Sequence, residues 1–332
     1  LFDAAKRCIP GGAQHMLVIK NPHPLTIERA LGPRVWDADG NEYIDYLMMA
    51  GPIILGHNYP PLIQKVSEVI QGEGIGTGWT SEWEIKSAEL IIRHMKNVDM
   101  VRFFQSGTEA DMAAIRLARA YTGKTKLLRI GGSYHGWADE FVYDMQVPYS
   151  GSFQTQGIPE QHFSNVISIG PGDLEALERA FDEGESQGGV AAVIVEGVPA
   201  NSGLLPQRQE FMELLRDESS RCGALLVLDE VITGFRVGKR GAAELYGVTP
   251  DLATFGTPSS AGAPSSFAAH TIVLELDDEE GFCKVIAERG SEIAAVIVEG
   301  IPANAVLLEQ RPEVMRLIRD ECTDKGTLLI LD

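Results

Sequence analysis

Short apolar runs of strand length alternate with helix-patterned segments from residue 60 to residue 260, and this alternation constrains the chain more than any other feature. Strands joined by helical crossovers lie parallel in one sheet, with the helices packed on its faces. The pattern predicts helices over 61–71, 83–95, 109–121, 174–181 and 210–220, and strands over 100–104, 126–130, 190–195, 224–228 and 252–255. Ahead of them, 35–37 and 43–45 flank the turn Ala38-Asp39-Gly40-Asn41 and predict a small β element. Residues 1–12 read as a short amphipathic helix stopped by Pro10-Gly11-Gly12. The expected fold class is therefore α/β: a mostly parallel sheet with helices on both faces, plus a small N-terminal β element.

Composition removes several functions. Lys and Arg number 28 against 47 Asp and Glu, a net charge of −19, which repels nucleic-acid phosphates and anionic lipid. No nucleic-acid or membrane partner is expected, and the apolar runs are far shorter than the roughly 20 residues a bilayer needs. Cys8, Cys222, Cys283 and Cys322 form no CxxC pair and no zinc-type Cys/His spacing, so no metal site is expected. Their sparseness points to a reducing, cytoplasmic compartment. Leu1 in place of an initiator Met points to a chain that begins inside a longer product.

The segment from Val190 to Asp229 returns as Ile293 to Asp332, with 25 of 40 ungapped positions identical. A weaker match reaches back to Val166 and Thr271. Two copies separated by unrelated sequence do not stack as a solenoid. A tandem duplication, a chimera and a join of non-contiguous pieces all fit. The copy is expected either to add a βα layer to the main sheet or to hang from it as an appendage.

Three segments carry candidate chemistry. Ser106-Gly107-Thr108 sits between a predicted strand and a helix, where free amides, hydroxyls and the helix dipole suit an anion such as phosphate. A plain capped helix is the competing reading. Tyr134-His135-Gly136 follows the next strand and brings aromatic faces to a glycine turn, either as packing or as a cofactor wall. Asp229-Glu230-Val231 ends a buried strand, at the edge where open α/β sheets bind ligands. A carboxylate buried there needs a partner.

In this order, and with Ile9-Pro10-Gly11-Gly12, Leu55-Gly56-His57, Glu196, Asn201 and Tyr246-Gly247-Val248-Thr249-Pro250-Asp251-Leu252, the chain resembles the pyridoxal-phosphate enzymes of the class III aminotransferase family over about residues 1–256. The resemblance is closest to its glutamate-1-semialdehyde aminomutase-like members. It implies pyridoxal 5'-phosphate as cofactor, fold type I, a small-molecule amino donor and acceptor, and a homodimer. By the same resemblance Ser106, Gly107 and Thr108 hold the cofactor phosphate, Tyr134 stacks on the ring beside His135, and Val231 packs on its other face. Asp229 pairs with the ring nitrogen and Asn201 neighbours the ring hydroxyl. Arg236 and Glu196 receive no role, and Met48, Met49, Ala50, Trp79 and Trp137 are open between lining a substrate pocket and packing near one.

The resemblance breaks at one position. The family carries a lysine after the Pro-Asp-Leu strand, whose amine bonds to the cofactor and moves the substrate proton. Thr257 stands there in this chain, and a hydroxyl does not replace that amine. The expected division is an N-terminal segment over 1–58, a large cofactor domain over 59–264, and at 265–332 a partial duplicate of the 164–229 unit in place of the family's small C-terminal domain. Three accounts stay open: a pseudoenzyme, an inactive duplicated fragment, and a sequence from which a lysine and neighbouring chain are missing.

Overall fold

The computed structural model describes residues 1–13, 23–74, 78–145, 157–256, 279–290, 293, 295–298 and 311–331. The chain divides into two compact units, Leu1–Ser87 and Ala88–Asp332. The first opens on helix α1 (Phe2–Lys6) and holds an antiparallel sheet, β1 (Ile27–Leu31), β2 (Arg34–Asp37) and β3 (Glu42–Ile44), in that order. Asp37 fixes the β2–β3 turn: its carboxylate accepts from the Asn41 side chain at 3.0 Å, the Asn41 amide at 2.8 Å and the Tyr43 hydroxyl at 2.8 Å. These donors, Asn41 foremost, hold its pKa down at about 2. Helix α2 (Pro60–Glu73) follows, and α3 (Glu82–His94) runs across the boundary into the second unit.

The second unit is built on a five-stranded sheet in the order β5-β4-β6-β7-β8. Its strands are β4 (Lys126–Ile130), β5 (Val166–Ile169), β6 (Val190–Glu196), β7 (Leu225–Glu230) and β8 (Leu252–Phe255), and every ladder is parallel. All seven residues of β6 are buried, which is why this segment reads as an unbroken apolar run ending in one acid. Alternate residues serve opposite faces. Leu127, Ala192, Ile194 and Val227 pack with Ala114, Ile115 and Ala118 of helix α4 (Gly107–Thr122) and with Phe141 of the short helix α5 (Asp139–Val142). Leu128, Val193, Val195, Leu226 and Leu228 pack on the other side with α6 (Leu174–Ser186), α7 (Gln209–Cys222) and α8 (Gly241–Tyr246). Each fully buried Val, Leu or Ile contributes roughly 1.5–3 kcal/mol. The α/β expectation, with helices on both faces and a small N-terminal sheet, agrees with this architecture.

One predicted strand is absent. Met100–Phe104 has no ladder partner among the described residues, and Met100, Phe103 and Phe104 are exposed. Apolar, β-branched and aromatic content marks a segment that can extend, but a strand also needs a neighbour to accept its hydrogen bonds.

The second copy folds like the first. Helix α9 (Glu279–Arg289) precedes β9 (Ala295–Val298), α10 (Pro312–Lys325) and β10 (Leu328–Leu331). The bounds of α10 are those of α7 carried through the sequence alignment, and Ala295 pairs with Leu328 as Ala192 pairs with Leu225. The copy forms its own two-stranded sheet over a core of Phe282, Ile286, Val314, Ile318 and Cys322. It adds no strand to the main sheet among the described residues. The repeated Glu299, Asn304 and Asp332 lie outside them, as does Thr257.

Candidate active site

The carboxyl ends of β4, β6 and β7 and the amino end of α4 supply the candidate residues. Ser106 leaves the helical range (φ −150°, ψ 161°), and its hydroxyl accepts from the Glu109 amide at 3.3 Å. Glu109 reaches back to the Gln105 amide at 2.8 Å, a reciprocal closure of the helix start. The amides of Gly107 and Thr108 belong to the first turn, where a helix offers no internal acceptor and its dipole is positive. Ser106 is thus a cap, as the competing reading expects, and two amides remain for an anion.

The loop after β4 is locked from beneath by Arg129. Its buried guanidinium donates to the carbonyls of Phe141 and Tyr143, and to that of Ser133 at 2.5 Å. From above, the Tyr134 amide donates to Glu196 Oε1 at 2.8 Å, and the Ala200 amide donates to Glu196 Oε2 at 3.2 Å. The Ser202 hydroxyl donates to the Gly132 carbonyl at 2.7 Å. One carboxyl group at the end of β6 therefore ties the Tyr134 loop to the turn that carries Asn201. Asn201 itself is exposed, the Tyr134 ring is 47% exposed, and His135 is buried.

Two glycines bring the segments together. A Cβ on Gly136 would stand 2.1 Å from Thr108 Oγ1, so the Tyr134 loop lies directly against the first turn of α4. A Cβ on Gly107 would stand 3.0 Å from Val231 Cγ2, so the same turn lies against the segment following β7. Ser106, Gly107, Thr108, Tyr134, His135 and Val231 thus share one edge of the sheet.

Asp229 lies beneath them, 3% exposed. Its Oδ1 accepts from the Val231 amide at 3.0 Å, and its Oδ2 pairs with His135 Nδ1 at 2.7 Å. Burial lowers the His135 pKa despite that carboxylate, so the ring is neutral and Nδ1–H is the donor. Burial, then the charge of Asp229, pushes the Glu196 carboxyl up to about 8. The same two causes raise Asp111 well above the usual carboxylate range. The neighbouring Glu230 turns away: it accepts from the Thr233 hydroxyl and from the amides of Ala242 at 2.9 Å and Ala243 at 3.0 Å, capping α8.

Sequence reasoning named Asp229, Tyr134, His135 and the Ser106–Thr108 turn, and missed Asp111, Thr254, Arg129 and the clamp made by Glu196. An arginine between Leu128 and Ile130 of a strand-patterned segment was a visible signal for Arg129. Met48, Met49, Ala50 and Trp79 belong to the first unit, while Trp137 is exposed in the second. A depression of about 290 Å³ lined by Leu117, Tyr121, Leu225, Asp251 and Leu252 lies at the opposite, amino-terminal ends of β7 and β8 and shares none of these residues.

A parallel sheet carries at its carboxyl edge a helix start and a buried acid, the edge at which open α/β sheets bind ligands. The chain belongs to the class-III aminotransferase family, whose model matches residues 17–273. A glutamate-1-semialdehyde 2,1-aminomutase of Caldicellulosiruptor saccharolyticus is 42% identical over 267 residues, which cover 80% of this chain and 61% of that protein. Among solved structures, a transaminase with PLP bound matches at TM-score 0.72 and 33% identity, covering 79% of this chain and 61% of that one. An omega-transaminase from Sphaerobacter thermophilus matches at TM-score 0.72 and 32% identity, covering 77% and 59%. The chain thus spans about three-fifths of the length of these relatives.

Proposed function

We propose that this chain binds pyridoxal 5'-phosphate and serves amino-group transfer, as an aminotransferase or aminomutase acting on a small amino acid or amino-aldehyde. One observation carries the reading: segments from three separate elements meet at the sheet's carboxyl edge, with Gly136 against Thr108 and Gly107 against Val231. The residues fit the cofactor: the first-turn amides of Gly107 and Thr108 suit a phosphate, Asp229 lies buried below them, and a side chain at either glycine would push apart the segments that meet here.

When bound, pyridoxal phosphate supplies an aldehyde for the amino group and a protonated ring that draws electrons from the substrate's α carbon. The chain's residues bind and orient that group, while Thr257 leaves the lysine's proton transfer without a residue to perform it. Ser106, Gly107 and Thr108 offer hydroxyls and first-turn amides to the phosphate. Tyr134 and Val231 would pack against the ring and shield it from water, and Asn201 would serve the ring hydroxyl. Asp229, oriented by His135 Nδ1 and the Val231 amide, would hold a proton on the ring nitrogen. Glu196 and Arg129 position the loop that presents Tyr134.

A homodimer and a cytoplasmic location belong to the same reading, as do the sequence divisions 1–58, 59–264 and 265–332. No described helix is long and apolar enough to cross a membrane. Thr257 favours a second reading, a cofactor-binding protein without turnover. Borohydride reduction with pyridoxal phosphate, peptide-mapped by mass spectrometry and paired with an amino-transfer assay, separates them. A single modified lysine with transfer supports the enzyme. Saturable binding with neither supports the second reading, and no specific binding removes both.

A further inference from the structure

Buried titratable groups from three elements meet beneath this site, and the proposed function uses only two of them. Asp111 lies on α4 one turn after Gly107, His135 follows β4, and Asp229 is the last β7 residue paired with β6; polar atoms of all three lie within 4.8 Å of one another. Their exposures are 1%, 1% and 3%. The donors are unevenly shared. Asp229 accepts one hydrogen bond on each oxygen, from the Val231 amide and from His135 Nδ1, whereas among the described residues Asp111 accepts one, from the Thr254 hydroxyl 2.6 Å from its Oδ1. Asp111 Oδ2 and His135 Nε2 are buried and have no hydrogen-bond partner among the described residues.

Two ionised carboxylates do not share so small a desolvated space. Every element packed here adds to the constraint: Glu196 comes from β6, Asp229 from β7, neutral His135 from the loop after β4, and uncharged Thr254 from β8. The guanidinium of Arg129 donates its hydrogen bonds to loop carbonyls. One carboxyl must keep a proton, and the distribution of donors marks Asp229 as the anion.

We propose that Asp111 is a further positioning residue of this site: it carries the proton of the Asp111–His135–Asp229 cluster and so keeps the negative charge on Asp229. That Asp229 then serves a ring nitrogen rests on the cofactor reading; the location of the proton does not. The raised pKa of Asp111 agrees with this assignment.

Infrared difference spectra of cofactor-free protein at neutral pH, wild type minus Asp111→Asn, read the proton directly. The carbonyl band of a protonated carboxylic acid, lost in Asp111→Asn, is expected; a carboxylate band lost instead overturns the proposal. If Asp111→Asn does not fold, Asp111→Thr takes its place. The urea midpoint gives a second readout. An acid whose folded pKa is raised loses stability as pH climbs from its unfolded value through its folded one, so wild type should fall progressively below Asp111→Asn as pH rises above about 4. Parallel curves overturn the proposal. In a pyridoxal phosphate titration at neutral pH, the neutral isostere should hold the dissociation constant within about threefold, and a change beyond about tenfold overturns the neutral assignment. If wild type binds no cofactor, the functional reading fails while the infrared and urea results still decide the proton.

Discussion

Gly136→Ala tests the contact that holds the candidate site together. Gly136 has φ +91°, and an added Cβ would sit 2.1 Å from Thr108 Oγ1, 2.7 Å from its Cβ and 2.8 Å from its Cα. The last of these is backbone, so rotating the threonine side chain does not relieve the clash. Backbone strain at a positive φ costs about 1–3 kcal/mol, and overpacking a close contact costs about 1–3 kcal/mol more. The sum, about 2–6 kcal/mol, is a large share of the 5–15 kcal/mol by which domains are stable. Gly123→Ala is the control: it has φ +69° but nothing within 4 Å of an added Cβ, so it pays for conformation alone. Urea unfolding of the two variants should place Gly136→Ala at least about 1 kcal/mol below Gly123→Ala, the lower end of the overpacking cost. Equal losses would refute the reasoning, because the loop would then not lie against α4.

Arg129→Met removes a buried guanidinium and leaves the carbonyls of Ser133, Phe141 and Tyr143 without their donor; a loss of about 1–3 kcal/mol for each carbonyl left unsatisfied is expected in urea unfolding. Glu196, pushed up to about 8, is charged in the unfolded chain and largely protonated in the folded one at pH 7, so its contribution is lost as pH rises toward that value. Glu196→Gln should therefore flatten the decline of the wild-type thermal midpoint between about pH 5 and pH 8, and an unchanged slope would count against the assignment. Leu215→Ala, in a core cluster of 19 buried residues, should cost about 2–5 kcal/mol, and its counterpart Ile318→Ala, in a cluster of five, should cost less by the same assay.

Much of the fold was legible because β6 and β7 are buried on both faces and so read as apolar runs bounded by glycines or acids. Met100–Phe104 misled because local composition does not reveal whether a ladder partner exists. The motif residues were readable by order along the chain, but their mutual contacts were not: that Gly136 meets Thr108 is a fact about three dimensions. Asp111 was hidden for a similar reason. A lone acid on a helix ordinarily faces water, and only the packing of α4 onto β7 and β8 turns it inward. The repeat was visible as sequence, yet its separate sheet was not, because strand identity does not fix which neighbours a strand finds.

Equilibrium binding of pyridoxal 5'-phosphate, titrated against the wild-type chain and against Asp229→Ala, tests the central claim most directly, with phosphate-free pyridoxal as comparator. The account predicts saturable binding at one site per chain, weakened in Asp229→Ala, and about tenfold or more weaker for pyridoxal because the Ser106–Thr108 turn then has no anion to hold. No saturable binding by wild type, or pyridoxal bound as tightly as its phosphate, would contradict it.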